Sequence, residues 1–334
     1  MESQVLFLSG DAEYFQYRIP ALTVSTEGMV LAFCEARKHT GHDDDEIDIV
    51  LRKSDNNGKT WGPQQVIISD GTRSCGNPCP VVDRDTGTIF LPFCKDNQQV
   101  FITRSEDEGE TWLPPQEITY SVKDTSWTYI GTGPGHGIQL RCGRLLIPSW
   151  CDESPGPATW RPAKWGKIQS SVVFFSDDHG KTWQTSEKLT TDASDECEVV
   201  EMLDGSVYMN MRSRQGRKCR AFARSSDRGS TWTKVEYDPF LPEPSCQGSI
   251  VRLDPRCILL THPSKTDCRA SLVLQTSTDE CQNWSAARVL EPGFAAYSDL
   301  AVLQDGTGLC LYEAESYDFL NLLSFDCSSS ECEK

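Results

Sequence analysis

The string SEDEGETW, Ser105 to Trp112, returns as SDDHGKTW from Ser176 and as SSDRGSTW from Ser225. A weaker copy, SDNNGKTW, begins at Ser54, and a decayed one, STDECQNW, begins at Ser277. The starts lie 51, 71, 49 and 52 residues apart, a length in which one small antiparallel sheet can be built. By length alone, 334 residues suggest about two domains. A unit of ~50 residues instead predicts about six sheets in one ring, a single domain over 1–334. The expected fold is all-β: a six-bladed β-propeller of four-stranded antiparallel blades joined by Asp-box turns.

The segments IDIVLRKS, QVFITRS, SVVFFS, CRAFARS and SLVLQTS alternate apolar and polar residues, and each ends at the serine that opens a box. They read as strands, and D-x-G-x-T-W reads as a tight turn into the next strand. Ser and Asp oxygens can cap N–H groups inside the turn, and Gly supplies positive φ. The indole is expected to anchor each turn against its own sheet. Four drifting copies of an Asp at one turn position are staples, not a reaction centre. The longest interval holds ESPGPATWRPAKWGK, Glu153 to Lys167, which has no strand pattern and reads as a loop able to overhang a site.

Bulk properties exclude several classes. A formal charge of −17 leaves no footprint for nucleic acid and disfavours anionic membranes, so an anionic ligand must be held by local cations. No apolar run is long enough to span a bilayer. The N-terminus MESQVLFLSGDAEYFQYRIP has neither a basic region nor a sustained apolar core, so a cytoplasmic protein is expected, lysosomal or secreted if the start is trimmed. The 15 cysteines are odd in number and lack a compact spacing, which favours reduced, mostly buried thiols. His39, His42, His136, His179 and His262 lack ligand spacing, and neither metal nor organic cofactor is implied. The sequon at Asn283 falls inside the decayed box and reads as fortuitous.

In an array of near-equivalent units, residues that are not repeated are the functional candidates. Arg18 stands in Tyr-Arg-Ile-Pro directly after the first short strand, Arg212 ends an apolar strand, and Arg269 opens another. Each alone reads as a solvated surface arginine. With the boxes, however, YRIP near the N-terminus resembles the sialidase (neuraminidase) family, particularly the animal cytosolic type. FCEARK at Phe33, RSCGNPCPVVD at Arg73, GPGHGIQL at Gly133, DECEVVEMLDG at Asp195, CQGSI at Cys246 and AYSDL at Ala296 extend the likeness over the chain.

The resemblance implies a retaining exo-α-sialidase that releases terminal sialic acids from glycoproteins, gangliosides or oligosaccharides. Arg18, Arg212 and Arg269 match a triad that clamps the substrate carboxylate, and guanidinium forks suit that planar anion. Glu313 matches an acid orienting the first arginine. Tyr297 and Glu196 match the nucleophile and its base. The physics agrees, because a neutral phenol avoids the repulsion an anionic nucleophile would meet beside the substrate carboxylate; sialidases with a tyrosine nucleophile are an exception to the two-carboxylate chemistry of most glycosidases. The family places an Asp nine residues before an Arg that precedes the first box, which selects Asp43 ahead of Arg52, with Asp44 as the neighbouring alternative and Asp45 where Gly is common.

Arg37, Arg73, Asn77 and Gln247 match residues near the substrate. Trp150 and Asp152 replace a family tyrosine pair, and a loop that often carries a substrate-contacting Glu is shortened to FCKDNQQVF. The expected partners are sialylated glycans, bound by a monomer with no nucleic acid and no membrane span. Transfer of the sugar to an acceptor or to its own hydroxyl would use the same residues. A propeller that binds sialic acid without turnover, or a scaffold with no chemistry, would leave the filled catalytic positions unexplained.

Overall fold

All five segments that end at a box serine are strands in the computed structural model of the chain, which describes residues 1–154, 169–189 and 194–327. The loop expected over Glu153 to Lys167 lies outside the described residues from 155 onward.

After β1 (Glu2–Leu8), the first four-stranded sheet is β2 (Gln16–Val24), β3 (Val30–Arg37), β4 (Ile47–Ser54) and β5 (Gln65–Ile68). The second carries two short strands on one edge, β6 (Cys75–Gly76) and β7 (Val81–Val82), then β8 (Ile89–Lys95), β9 (Gln99–Ser105) and β10 (Gln116–Glu117). The third repeats that plan with β11 (Tyr129–Thr132) and β12 (Ile138–Gln139), then β13 (Leu145–Asp152), β14 (Gln169–Ser176) and β15 (Gln184–Thr185). The fourth is β16 (Ser194–Glu201), β17 (Val207–Ser213), β18 (Cys219–Ser225) and β19 (Glu236–Pro242).

A seven-stranded sheet takes the remainder: β20 (Ser249–Asp254), β21 (Cys257–Pro263), β22 (Ala270–Ser277), β23 (Arg288–Val302), β24 (Thr307–Ala314), β25 (Phe319–Asp326) and β1. The first half of β23 pairs with β22 and the second half with β24. The sheet is therefore two four-stranded runs sharing one long strand, and β1 on β25 ties the first residues to the last.

The core lies between these runs rather than inside one sandwich. Because side chains alternate across a strand, Leu31 and Phe33 face the second sheet while Val30, Ala32 and Cys34 face Leu309, Leu311 and Leu322 of the last. Equivalent apolar clusters join the second run to the third, the third to the fourth, the fourth to the fifth and the fifth to the last. Each interface packs eight or more buried side chains, and each large apolar one contributes ~1.5–3 kcal/mol of transfer free energy.

The boxes cap their own turns as expected. Ser105 Oγ accepts from Gly109 N at 2.9 Å, and Asp107 accepts from Thr111 N at 2.9 Å and Thr111 Oγ1 at 2.5 Å. Those bonds from Thr111 hold the Asp107 carboxyl down at about 2. Drift is tolerated by substitution in kind: Asn56 accepts from Thr60 N, and Asn283 takes the threonine's place against Asp279. That bonding also explains the sequon at Asn283.

The packing of the indoles departs from expectation. Trp112 packs edge-on against Phe33 of the first sheet, with centroids 5.7 Å apart, and Trp183 against Phe90 of the second at 6.0 Å. Each therefore reaches the preceding sheet, not its own. The turn projects beyond its own ladder, so the nearest apolar surface is the neighbour's face. The box glycines follow the same logic: a Cβ on Gly180 (φ 75°) would sit 2.3 Å from Phe90 Cζ, and one on Gly109 2.7 Å from Leu31 Cδ2.

Gly180→Ala should therefore lower stability by about 3 kcal/mol, combining left-handed strain with overpacking. Gly205→Ala, also at positive φ but facing open space, should cost only about 1 kcal/mol. Denaturant midpoints at unchanged slope measure both; equal losses would mean that the boxes do not dock on their neighbours.

Candidate active site

Three strands lose register where the unrepeated residues lie. β2 shifts between Arg18 and Ala21, β16 between Ser194 and Cys197, and β23 between Ala295 and Ser298. Such bulges free residues from the ladder and re-aim their side chains. Glu196 and Tyr297 fall within these breaks, Arg18 is the last paired residue before its own, opposite Glu35, and all three line one cleft. Ile19, inside the first break, has φ 57°. A β-branched residue held there, and ahead of a proline, costs about 1–3 kcal/mol.

Glu313 maintains this conformation. Its Oε1 accepts from Arg18 Nε at 2.5 Å and Ile19 N at 3.0 Å, and its Oε2 from Tyr297 N at 3.2 Å. It lies behind Arg18, fully buried, in the orienting position the resemblance implies. Tyr317 adds a second support: its ring lies 4.0 Å under the Arg18 guanidinium, and its hydroxyl accepts from Arg269 Nη1 at 3.0 Å.

At the centre, Tyr297 Oη donates to Glu196 Oε1 at 2.5 Å. Arg212 Nη1 donates to Glu196 Oε2 at 2.5 Å and to Tyr297 Oη at 2.7 Å. Burial pushes the Tyr297 phenol well above its ordinary value, outweighing the lowering by Arg212, so the ring is neutral at neutral pH with a base already on its proton. Burial opposes charge on Arg212, but Glu196 more than reverses this and the guanidinium stays cationic.

The acid loop stands on another wall. Arg37 is buried and donates twice to Glu35 Oε2, at 3.0 and 2.6 Å, and its Nη1 reaches Gly41 O at 2.6 Å and Asp43 Oδ1 at 2.9 Å. Among the three consecutive aspartates only Asp43 lines the cleft, with 67% of its side chain exposed. Asp45 instead accepts from His39 N, Thr40 N and Glu46 N and stabilises the loop. Asn77 and Trp150 complete this side, Trp150 stacked on Tyr129 with centroids 4.5 Å apart.

Not every expected residue reaches the cleft. Arg73 is drawn away by Asp96 Oδ2 at 2.6 Å and Gln99 Oε1 at 2.8 Å, and Gln247 is buried between Glu198 and Ser298 N. Asp152 is buried against Ser154 N and Gln169. Sequence reasoning missed Glu35, Asn97, Tyr129 and Arg214 as cleft residues. Glu35 lies two residues before Arg37 on one strand face, which was a readable signal; Tyr129 carried none.

Histidines also converge with carboxylates despite their scattered spacing. His136, Glu198 and Asp299 meet in the interior, and His179 meets Asp83 and Asp85 near the surface. Each set has ligand-type atoms close enough for a cation, but their carboxylates already accept protein N–H and O–H donors. The two sets are tertiary, so spacing along the chain could not reveal them.

Five arginines and three carboxylates line the cleft. Among the described residues, Arg269 is the cleft arginine without a carboxylate partner, leaving its fork for a ligand anion. A repeat-built all-β chain with such a cleft can be compared with known proteins. The BNR repeat-like domain family matches residues 28–309. Sialidase-2 of Rattus norvegicus is 32% identical over 375 residues, covering 97% of this chain and 95% of that protein. The chain belongs to the sialidase family.

A sialidase of Micromonospora viridifaciens is 31% identical across 93% of this chain, which spans only 52% of that protein. Among solved structures, Hadza microbial sialidase Hz136 superposes with a TM-score of 0.87 at 27% identity, over 98% of this chain and 69% of its own. The intramolecular trans-sialidase of Ruminococcus gnavus shares the fold, with a TM-score of 0.81 at 19% identity over 97% of each chain. The sialidase propeller is thus the architecture of this chain.

Arg269→Ala should weaken binding of free sialic acid about 30- to 100-fold by calorimetry, the loss of one or two charge-assisted hydrogen bonds. Arg73→Ala should change affinity less than about twofold, since Arg73 is held outside the cleft; the opposite ranking would exchange their roles.

Proposed function

We propose that this sialidase is a six-bladed, retaining exo-α-sialidase that cleaves terminal α-linked sialic acids through a tyrosyl-enzyme intermediate. The observation that carries the reading is the Tyr297–Glu196–Arg212 cluster: a neutral phenol on a carboxylate base, beside a cation that can hold a substrate carboxylate.

Arg18, Arg212 and Arg269 grip the carboxylate, placing the anomeric carbon over Tyr297. Asp43 gives its proton to the glycosidic oxygen as the bond to the leaving group breaks, and Tyr297 Oη attacks while Glu196 accepts the phenolic proton. Asp43, now a carboxylate, takes a proton from water, whose oxygen attacks the anomeric carbon. The C–O bond to Tyr297 breaks, Glu196 returns the proton, and two inversions yield α-sialic acid. Asp43 suits both duties because its exposed carboxyl meets leaving group and solvent, while Arg37 fixes its orientation.

The natural substrates in this reading are sialylated glycoproteins, gangliosides and oligosaccharides, and the enzyme acts as a monomer. We place it in the cytosol, supported by the burial of 12 of the 14 described cysteines as small apolar core residues. No helix among the described residues is long and apolar enough to cross a membrane. Transfer to an acceptor or to the sugar's own hydroxyl would use the same residues, and NMR of the product separates these outcomes from hydrolysis.

A fluorogenic α-sialoside should be turned over; absence of both free and anhydro sialic acid with folded protein sinks the reading. Tyr297→Phe should lose about 10³-fold or more in kcat while retaining substrate binding. Asp43→Asn should lose about 10²- to 10⁴-fold on sialyl-lactose but far less on aryl sialosides, whose oxygens need little protonation. Equal losses on both substrates would reassign the acid.

A further inference from the structure

Under the cleft floor lies a charge cluster to which the mechanism gives no role. Glu198 and Asp299 are fully buried, and His136 Nδ1 lies 2.7 Å from Asp299 Oδ1 and 3.9 Å from Glu198 Oε2. Ser249 Oγ bridges the two acids, 2.8 Å from Glu198 Oε2 and 2.9 Å from Asp299 Oδ1. Ile250 N donates to Glu198, and Leu22 N donates to Asp299 Oδ2 at 2.6 Å. The cluster thus joins β2, β16, β20 and β23 with the loop before β12.

Its place in the sequence connects it to the chemistry. Glu198 is two residues beyond Glu196, and Asp299 two beyond Tyr297, so a single residue separates each buried acid from the bulge that carries its cleft residue. The ladders of β16 and β23 resume at Cys197 and Ser298, immediately before these acids, and that of β2 resumes at Ala21, immediately before Leu22. The three strands carrying reactive residues are therefore released at their bulges and joined again through the cluster. Gln247 extends the connection, donating to Glu198 at 3.2 Å and accepting from Ser298 N at 2.9 Å.

We propose that His136, Glu198 and Asp299 are positioning residues for the nucleophile pair, fixing from below the relative height of β16 and β23 and with it the contact between Glu196 and Tyr297. The proposal rests on the roles assigned above to those two residues. The Ser249 hydroxyl, within hydrogen-bond distance of both acids, transmits the register; burial and Asp299 raise the Glu198 pKa, and the His136 imidazolium compensates the charge that the two acids share. Asp299 and Glu198 raise the His136 pKa to about 9 despite the opposing effect of burial. The other titratable groups facing the acids are the thiols of Cys79, Cys197 and Cys310, so the histidine is the compensating cation of the cluster among the described residues.

The test compares full-length His136→Ala and His136→Asn with wild type and with Gly180→Ala, a destabilised control remote from the cleft. His136→Ala should lose about 10- to 100-fold in kcat on sialyl-lactose, the effect of a small misplacement of reacting groups. KM and the inhibition constant of sialic acid should stay within about twofold, because the arginine clamp is untouched. His136→Asn can retain a donor to Asp299 and should recover part of kcat. All assays run well below each melting temperature, with folding confirmed by circular dichroism. Unchanged kcat in His136→Ala, a fall no larger than in Gly180→Ala, or a KM rising in step with the loss would overturn the positioning role. Wild type inactive on every sialoside would instead overturn the underlying functional reading.

Discussion

The site depends on a backbone constraint: three inner strands break their ladders at or directly beside residues that line the cleft. A regular ladder would aim successive side chains at alternate faces towards the neighbouring sheets, where Val, Leu and Phe belong. Breaks at Glu196, at Tyr297 and directly after Arg18 accompany the turn of these side chains toward a common cleft, at the cost of unpaired backbone and strain. Glu313 compensates directly, accepting from the strained Ile19 N–H and the Tyr297 N–H with the same carboxylate that orients Arg18.

Charge is organised on the same plan. The protein carries −17 overall, yet five arginines converge on one cleft. Arginine forks can be aimed only if something behind them accepts their other hydrogens. Glu313 does this for Arg18, Glu35 for Arg37, Asp195 for Arg214, and Glu196 for Arg212. Arg269 is held by a phenol and lies over the Tyr297 ring, 5.1 Å from its centroid. It thus keeps more charge available to an incoming anion.

The sequence made much of this legible through particular residues. Box serines located the ends of five strands, because side-chain capping is local chemistry. The spacing of the family motif selected Asp43 among its neighbours, and in the structure Asp43 contacts Arg37 and lines the cleft, whereas Asp44 is exposed outside it and Asp45 is buried. Other features were beyond reach. Arg73 and Arg37 look alike as sequence, but Asp96 and Gln99 hold Arg73 aside. Trp112 and Trp183 signalled packing without saying on which sheet, since that depends on the arrangement of neighbours.

By itself, the sequence determined the repeat, the strand ends and the turn chemistry, which follow from local propensities and hydrogen-bonding capacity. The residues proposed to clamp a carboxylate and attack a sugar were singled out by resemblance to the sialidase family. Tertiary structure alone decided that His136 compensates two buried acids, that Tyr129 and Arg214 enter the cleft, and that each box docks on the sheet before it. Such outcomes join residues some tens to more than a hundred positions apart, and nothing in their local sequence fixes the distance between them.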